Sequence, residues 1–370
     1  MSVRIFHIAD VHFDTPFSAL TAEEAASCKN SLRSAFSKAV LAAKNRGVEL
    51  FFIAGDLFDS RFVSPDTLEF VRDKIASFPS CRFFISPGNH DPYGEDSFYA
   101  KGFLPENAHV FRGKERVEID ELGVDVYGFG FTEGHCGENP ITGYPERRQD
   151  RISILVCHGD LNGREDGYAP FTESDVAASG FDYIALGHIH KASGVMKQGG
   201  TYYAYPGCIE GRGFDETGDK GGLLGTVSKG SVELAHFSLS VRRYERIEVD
   251  ISGAETRLQV MEAIRSALRP YGGTRLRLTL TGRPKNSFYI SEELFETGGS
   301  CPEYIELRDE TVPSPDFTAI EAENTLRGAF FRRMRERIEG AEEGSVEKEL
   351  AVRALKAGLA ALEGRELSEV

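Results

Sequence analysis

The chain contains 370 residues, of which 41% are hydrophobic and 27% charged, and its formal net charge at pH 7 is −15. That length predicts two or three domains, and the composition is typical of a globular protein. No stretch is long and apolar enough to cross a bilayer, and the first residues lack the segments of a signal peptide, so we expect a cytoplasmic protein with no membrane partner. The six cysteines form no Cys-x-x-Cys pair, which favours reduced and mostly buried thiols.

The charge is unevenly distributed along the chain. Residues 241–285 carry ten Lys or Arg and five Asp or Glu, whereas the segments before and after them are acidic. A net charge of −15 argues against a polyanionic partner, but the basic block offers a local surface for one. Bound divalent cations would offset part of the acidic charge of residues 1–240.

The chain begins with a predicted strand and helix. Residues 4–9 predict a strand that runs directly into Asp10-Val11-His12. Because side chains alternate along an extended segment, we expect Asp10 and His12 on the same side of it. Thr21 and Glu24 then have the spacing of a capping box, which predicts the start of a helix.

The next strand is the one around which the predicted sheet is organised. Residues 48–54 form an apolar run rich in aromatic and β-branched side chains, which predicts a strand buried on both faces. Gly55-Asp56 follows it, and residues 67–77 predict a second helix. This β-α-β-α order predicts parallel strands joined by right-handed crossovers.

Polar side chains follow several of the predicted strands, which cover residues 82–86, 124–131, 152–157, 181–186 and 202–205. Five of the nine histidines lie at strand ends, namely His12, His90, His158, His188 and His190. One such residue could simply belong to a turn or a helix cap, but five in one chain indicate a site at the carboxyl edge of a sheet. His7, which lies inside a strand among apolar neighbours, is predicted to be a buried core histidine.

The residue types at these strand ends suit a metal site. Carboxylates, one amide and several imidazoles form a mixed nitrogen and oxygen set that fits divalent ions such as Mn²⁺, Fe²⁺ or Zn²⁺. The set exceeds what one ion needs. Two ions about 3.5–4 Å apart, bridged by one carboxylate, would use most of it, and such pairs serve phosphate-ester hydrolysis.

The motifs, taken in order, resemble the series of the calcineurin-like metallophosphoesterase superfamily over residues 1–240: Asp10-x-His12, Gly55-Asp56-x-x-Asp59, Gly88-Asn89-His90-Asp91, His158 and Gly187-His188-x-His190. The resemblance implies an α/β fold, a four-layer α/β/β/α sandwich. It also implies that one ion is held by Asp10, His12, Asp56 and His190, and the other by Asp56, Asn89, His158 and His188, with hydroxide between the ions attacking phosphorus. Mn²⁺ is the expected metal, with Fe²⁺, Zn²⁺ and Mg²⁺ as alternatives.

The same resemblance assigns a catalytic role to His90, as general acid or stabiliser of the transition state, and to Asp59, as the carboxylate that orients it. A carboxylate that accepts from one ring nitrogen favours the protonated imidazole and leaves the other nitrogen for the departing oxygen. Asp91 is expected in a turn or beside the ligands rather than among them.

Further motifs resemble the SbcD/YhaO-like branch of DNA-repair nucleases. They are Gly-Asp-Leu-Phe-Asp followed by Ser64-Pro65, then Tyr205-Pro206-Gly207, and a loop with residues 211–216 and Gly221-Gly222. This implies a Mn-dependent 3′ to 5′ DNA exonuclease with some endonuclease action, the nuclease subunit of an SbcCD-like complex. Many archaeal and eukaryotic relatives have His at the position of Asp59, so the match is to the bacterial branches.

The last third predicts a cap and a tail. Strands over residues 241–251 and 275–280 and a helix over 256–268 predict a basic α/β unit. It resembles the small capping domain, here residues 241–311, that in these nucleases contacts the DNA backbone. The candidate phosphate contacts are Arg212, Arg243, Arg275 and Arg277, although a solvated surface is the alternative for any one of them.

The tail, residues 312–370, is predicted to be a linker, Val312-Pro313-Ser314-Pro315, followed by a helix over residues 316–340 and a last helix capped by Ser345 after Gly344. Amphipathic helices of this kind pack on the body or dock on another protein. The resemblance favours an SbcC-like SMC-type ATPase as partner of residues 316–370, and a homodimer is a further candidate assembly.

Two other functions stay open at this stage. The first is hydrolysis of a small phosphodiester or phosphomonoester by a member of the same superfamily. The second is a DNA-binding or complex-assembly subunit whose metal site has little activity, which the presence of all seven expected ligands disfavours.

Overall fold

The computed structural model describes residues 1–59, 63–163, 167–285, 288, 290–295, 297–312, 317–342 and 345–362. The predicted linker residues 313–315 and Gly344 therefore lie outside the described residues. The chain divides into two compact units, Met1–Arg243 and Tyr244–Val370. The sequence placed a boundary at 240/241 and a second one at 311/312, whereas the structure has both later segments in one unit. The roles given to the three segments stay predictions.

Helices and strands alternate over residues 2–85, as the opening pattern predicts. The helices are α1 Ala22–Asn45, α2 Pro65–Ala76, α3 Glu173–Ser179, α4 Arg257–Leu268, α5 Phe317–Ala322, α6 Leu326–Gly340 and α7 Val346–Leu362. The strands are β1 Ser2–Ile8, β2 Leu50–Ile53, β3 Arg82–Ile85, β4 Ala108–Val110, β5 Gly113–Ile119, β6 Val124–Gly130, β7 Ile152–His158, β8 Tyr183–Gly187, β9 Met196–Gln198, β10 Thr201–Ala204, β11 Gly221–Ser228, β12 Ser231–Ser238, β13 Arg243–Asp250, β14 Thr274–Thr281 and β15 Tyr304–Asp309.

Two six-stranded sheets form the first unit, in the orders β12-β11-β1-β2-β3-β4 and β5-β6-β7-β8-β10-β9. Strands β1 to β4 run parallel, as do β6, β7, β8 and β10, which confirms the predicted parallel centre. The outer strands β11, β12, β5 and β9 pair antiparallel. Parallel neighbours place their carboxyl ends along one edge, which is where the polar motifs follow.

Three apolar clusters separate the layers. One joins α1 and α2 to the outer face of the first sheet, through side chains such as Phe36, Val71 and Phe83. A second fills the space between the sheets, and a third covers the outer face of the second sheet, where α3 contributes Val176. This is the α/β/β/α sandwich that the family resemblance implies. Hydrophobic burial on both faces explains why β2 and β7 contain buried residues only.

Local signals in the sequence are confirmed where they involve caps and core positions. Thr21 and Glu24 form the predicted capping box of α1, with the Glu24 amide donating to Thr21 Oγ1 at 3.3 Å. His7 is fully buried, with Nδ1 2.8 Å from the Tyr183 hydroxyl and Nε2 3.1 Å from the Leu186 carbonyl. All six cysteines are free, and four of them are buried: Cys28, Cys81, Cys157 and Cys208.

The hairpin β11–β12 was not predicted. Gly221 and Gly222, which the sequence placed in a loop, begin β11, where a Cβ at Gly221 would lie 2.0 Å from the Phe237 carbonyl oxygen of β12. Glycine is therefore required here by the close approach of the neighbouring strand, and the expectation of a loop is wrong. The hairpin extends the first sheet beside β1.

The second unit contains the three-stranded sheet β13-β14-β15, with α4 packed on it through Val260, Ile264 and Leu268. Helices α5, α6 and α7 share a separate apolar cluster that includes Phe331 and Leu355. Among the residues that the structure describes, no helix has the length and apolar character that a membrane span needs.

The predicted single helix over residues 316–340 is wrong, because two helices, α5 and α6, occupy this range. Thr325 breaks it with an extended backbone, φ −119° and ψ 168°, and its hydroxyl accepts from the Gly328 amide. A threonine in that conformation is a helix N-cap. Ser345 does act as predicted, since its hydroxyl accepts from the Lys348 amide at 3.2 Å at the start of α7.

Candidate metal centre

The predicted ligands come from the carboxyl ends of strands in both sheets of the first unit. Asp10 and His12 follow β1, Asp56 follows β2, and His158 is the last residue of β7. The alternation argument assumed an extended segment after β1. The segment is not extended, because Asp10 and His12 have φ values of 51° and 53°. Asp56 also has a positive φ of 49°. Such left-handed residues are strained outside glycine and concentrate at functional sites.

The first predicted ligand set is gathered around His12. Its Nε2 lies 3.1 Å from Nε2 of His190 and 3.7 Å from a carboxylate oxygen of Asp56. Nε2 of His190 lies 3.9 Å from Asp10 Oδ1. Ligand atoms of Asp10, His12 and His190 all lie within 4.8 Å of one another. The structure thus brings together the four residues proposed to hold one ion.

The second set is gathered around His158. Its Nε2 lies 3.0 Å from Asn89 Oδ1 and 3.5 Å from Asp56 Oδ2. The His188 ring centroid lies 5.1 Å from that of His158, and the His188 amide donates to the Asp10 carboxylate at 3.1 Å. Asp56 contacts both sets, which is the position that a bridging carboxylate requires.

Three of the imidazoles are held through Nδ1. His12 Nδ1 lies 2.9 Å from Asp59 Oδ1, and His190 Nδ1 lies 2.7 Å from Glu216 Oε1. His158 Nδ1 lies 3.1 Å from the Ala54 carbonyl oxygen. Each of these acceptors fixes the proton on Nδ1, so each Nε2 carries a lone pair directed into the site.

This arrangement leaves acceptors facing acceptors. The Nε2 atoms of His12 and His190 lie 3.1 Å apart, yet neither has a proton to share once both Nδ1 atoms donate to carboxylates. The oxygen assigned to Asn89 faces the lone pair of His158 Nε2 in the same way, at 3.0 Å. Lone pairs that converge without a proton between them repel, and a cation removes that repulsion. The donor set therefore fits divalent metal ions.

Burial disfavours the charged form of each of these groups. It lowers the pKa of His12 and of His188 to about 4 each, and it lowers that of His158, so all three are neutral at pH 7. Burial raises the pKa of Asp10 well above its usual value, and the charge of Asp56 raises it further. Burial also acts to raise the pKa of Asp56, but His158 and His12 hold it below its usual value.

His90 lies at the edge of the site, with 43% of its side chain exposed. Its Nδ1 lies 3.2 Å from the Asp59 backbone carbonyl and 3.4 Å from the Asp59 carboxylate. The carboxylate is nearer to His12, at 2.9 Å. Ligand atoms of His90, His12 and Asp56 also lie within 4.8 Å of one another, so geometry alone leaves His90 close enough to act as a ligand. Its role and that of Asp59 stay predictions.

The loop after β3 is fixed against the loop after β2 by Asp91. One of its oxygens accepts from the amides of Leu57 and Phe58, and the other accepts from the Gly88 amide at 2.8 Å. Burial raises the pKa of Asp91 to about 7, and the charge of Asp56 adds to this. Asp91 therefore lies beside the ligands, where the sequence placed it.

Gly88 permits the close approach of these two loops. A Cβ at this position would lie 2.2 Å from Asp56 Oδ1. The amide of His90 donates to the same oxygen at 3.0 Å, which positions the carboxylate. The glycine before Asn89 is thus needed for the space that Asp56 occupies.

The sequence missed the role of Glu216, although it lies in the loop over residues 211–216 that resembles the nuclease branch. Its carboxylate accepts from His190 Nδ1 and is also bound by Arg212, whose Nη2 lies 2.8 Å away. Burial acts to raise the pKa of Glu216, but His190 and Arg212 hold it far below its usual value. The loop sequence alone gave no signal that this carboxylate would reach back to a histidine 26 residues earlier.

The candidate DNA contacts also interact with other parts of the protein. Arg212 binds Glu216, Arg277 lies 2.9 Å from a Glu306 carboxylate oxygen, and the guanidinium of Arg275 lies 4.4 Å from the Tyr304 ring centroid. Arg243 is exposed. DNA contact by any of these residues stays a prediction.

A sandwich with these ligands at one edge defines a metallophosphoesterase. The chain belongs to the calcineurin-like phosphoesterase family, whose model matches residues 3–192.

Two curated proteins show what it is similar to. The Bacillus subtilis (strain 168) protein described as uncharacterized metallophosphoesterase YhaO is 32% identical over 296 residues, 76% of this chain and 72% of that protein. The DNA double-strand break repair protein Mre11 of Methanopyrus kandleri is 24% identical over 321 residues, 82% of this chain and 67% of that protein. Among solved structures, TT1561 of Thermus thermophilus is 13% identical with a TM-score of 0.39, over 62% of this chain and 100% of that one.

Proposed function

We propose that this metallophosphoesterase is a DNA nuclease that hydrolyses phosphodiester bonds with two manganese ions, as a 3′ to 5′ exonuclease with some endonuclease action. The observation that carries the hydrolytic part is the pair of facing Nε2 lone pairs of His12 and His190, 3.1 Å apart, beside the carboxylates of Asp10 and Asp56. Similarity to Mre11, a protein named for DNA double-strand break repair, supports DNA as the substrate.

The proposed ligands are the seven residues of the two sets: Asp10, His12, Asp56 and His190 for one ion, and Asp56, Asn89, His158 and His188 for the other. Two divalent ions in such a site supply an activated water nucleophile and stabilise charge on the phosphoryl oxygens.

The chain's own residues supply orientation and a proton. Asp59 and Glu216 fix the rings of His12 and His190, so that both Nε2 atoms are available as ligands. His90, exposed beside them, would donate a proton from Nε2 to the leaving oxygen of the cleaved strand, while Nδ1 stays at the Asp59 carbonyl.

The partner proposal rests on the tail. Leu326, Val346 and Leu350 are 74%, 72% and 60% exposed on α6 and α7, although the same helices share a buried apolar cluster. Exposed apolar side chains on helices suit another helix, and we propose an SbcC-like SMC-type ATPase as partner, in a cytoplasmic complex that also allows a homodimer.

The test is hydrolysis of end-labelled duplex DNA by metal-stripped protein to which Mn²⁺ is returned. Shortening from the 3′ end that depends on Mn²⁺ supports the proposal, with the Asp56→Asn variant as the inactive control. If the protein cleaves bis-p-nitrophenyl phosphate but leaves single- and double-stranded DNA intact, the hydrolase stands and the nuclease assignment is wrong. If it cleaves neither, the hydrolytic assignment fails as well.

A further inference from the structure

Arg212 lies between two carboxylates of the site. Its Nη2 lies 2.8 Å from Glu216 Oε1, and its Nη1 lies 3.7 Å from Asp59 Oδ1. Only 19% of the side chain is exposed. The Arg212 amide also donates to Glu216 Oε2 at 2.8 Å, so the loop is closed on itself and the guanidinium is held in place.

Each of these carboxylates holds one imidazole. Asp59 accepts from His12, and Glu216 accepts from His190. Arg212 Nη2 also lies 3.1 Å from His190 Nδ1, but this nitrogen cannot accept from Arg212 while it donates to Glu216. The carboxylate is nearer, at 2.7 Å, so the proton belongs on Nδ1 and the arginine acts through Glu216.

His12 and His190, whose rings these two carboxylates hold, are proposed ligands of the same ion. In the other ligand set, His158 Nδ1 is held by the backbone carbonyl of Ala54, which needs no side chain to orient it. The second set therefore has a rigid acceptor of its own, whereas the first depends on two side-chain carboxylates that could otherwise rotate. A planar guanidinium with several donors can hold Glu216 through hydrogen bonds and Asp59 through an ion pair at the same time, which a lysine ammonium cannot do as well.

We propose that Arg212 is a positioning residue for one of the two ions, because it fixes Asp59 and Glu216 and thereby the rings of His12 and His190. The inference rests on the proposed two-ion site. It also gives Arg212 a role other than the DNA contact that the sequence suggested.

Two physical effects of removing Arg212 have opposite signs, which makes the inference testable. The loss of a positive charge near the site would strengthen cation binding. The loss of orientation would weaken it, because partners of metal-bound histidines are worth about 10–100-fold in metal affinity. Arg212→Lys keeps the charge and loses the planar fork, whereas Arg212→Gln loses both.

The experiment measures Mn²⁺ bound per chain by equilibrium dialysis of the full-length protein across free Mn²⁺ concentrations, with electron paramagnetic resonance to follow the coupled pair. We expect both variants to weaken one of the two binding steps by about 10–100-fold and to leave the other step within about twofold. The control is Arg148→Gln. Arg148 binds Asp125 at the amino end of β6, whereas the proposed ligands lie at the carboxyl ends of strands. This variant should bind both ions as the parent does.

Three results would overturn the inference: tighter binding by Arg212→Gln, equal weakening of both steps, or unchanged binding with a higher KM for DNA. The last would return Arg212 to substrate contact. If the parent protein itself binds fewer than two ions, the proposed site fails, and this is distinguished from failure of the Arg212 inference because it is seen before any variant is made.

Discussion

Asp56 is the residue on which both ligand sets depend. Its carboxylate lies 3.7 Å from His12 Nε2 and 3.5 Å from His158 Nε2. We expect Asp56→Asn to lower the bound Mn²⁺ from two ions to one or none and to reduce turnover at least about 100-fold, because an amide supplies neither the charge nor the second oxygen. Metal analysis and a rate assay check this.

The exposed Asp120→Asn is the matched control for that substitution, since its side chain is 84% exposed. Circular dichroism should be unchanged for both variants. Full turnover by Asp56→Asn would contradict its bridging role.

His90 gives a second prediction at the same scale. If it serves as a general acid, His90→Ala should retain both ions while the rate falls by about 10²–10⁴-fold. Its ligand atom lies within 4.8 Å of those of His12 and Asp56, so the competing outcome is loss of an ion, which would make it a ligand. The same metal analysis decides between them. The control is His236→Ala, because His236 is exposed on β12 and lies beside Asp219, away from the proposed ligands.

Most of the proposed ligands could be predicted at the residue scale because Asp, Asn and His directly after strands have a specific chemistry and a specific place. What the sequence could not show is which acceptor holds each ring. Asp59 was expected to orient His90, yet its carboxylate lies nearer to His12, and Glu216 was given no role. Such pairings depend on how loops fold back, which no local pattern contains.

Strands β1 and β8 are linked by a polar contact in the core between the two sheets. His7 is fully buried there, and burial lowers its pKa to about 3. An unfolded chain with a pKa of 6.5 at this residue binds more protons than the folded chain below that pH. The contribution of His7 to stability is therefore complete above pH 6.5 and is lost as the pH falls toward 3.

We expect His7→Gln to show a shallower fall in the free energy of unfolding between pH 6.5 and 5 than the parent. The full effect down to low pH is on the order of 5 kcal/mol. Urea unfolding at several pH values measures it. Other buried histidines affect both proteins equally, so parallel curves would show that His7 does not carry this dependence.

The loops after β2 and β3 give a prediction about close approach. Gly88→Ala would place a Cβ 2.2 Å from Asp56 Oδ1, so we expect it to displace the carboxylate and to lose most bound Mn²⁺. Gly200→Ala is the control, because a Cβ there meets nothing within 4 Å. Equal metal binding by the two variants would contradict the argument.

At the element scale, the sequence predicted the central strands because fully buried parallel strands are continuous apolar runs. It missed β11, which begins with two glycines, and β12, in which no residue is buried. It also joined α5 and α6 into one helix, because the apolar spacing continues across the cap at Thr325. Periodicity reports a buried face but not a break between two helices that share it.

At the scale of the whole molecule, we propose that the first unit carries hydrolysis and the helical tail carries partner binding, and a deletion can test this. Removal of residues 316–370 deletes α5, α6 and α7, which share their own apolar cluster. We expect this deletion to leave hydrolysis of bis-p-nitrophenyl phosphate unchanged, because every proposed ligand lies in Met1–Arg243.

The same deletion should end co-purification with an SMC-type ATPase expressed alongside. A milder variant is Leu350→Ala in the full chain, which shortens one exposed apolar side chain. It should weaken the association without changing hydrolysis. An ATPase that still co-purifies with the shortened chain would place its docking surface elsewhere.

The facing lone pairs of His12 and His190 also bear on how the protein is handled. A cation that binds only the native chain adds about 2.7 kcal/mol when its concentration is 100 times its dissociation constant. Preparations kept in EDTA should therefore melt at lower temperature than those stored with manganese, and a scanning calorimeter would register the difference before any substrate is added.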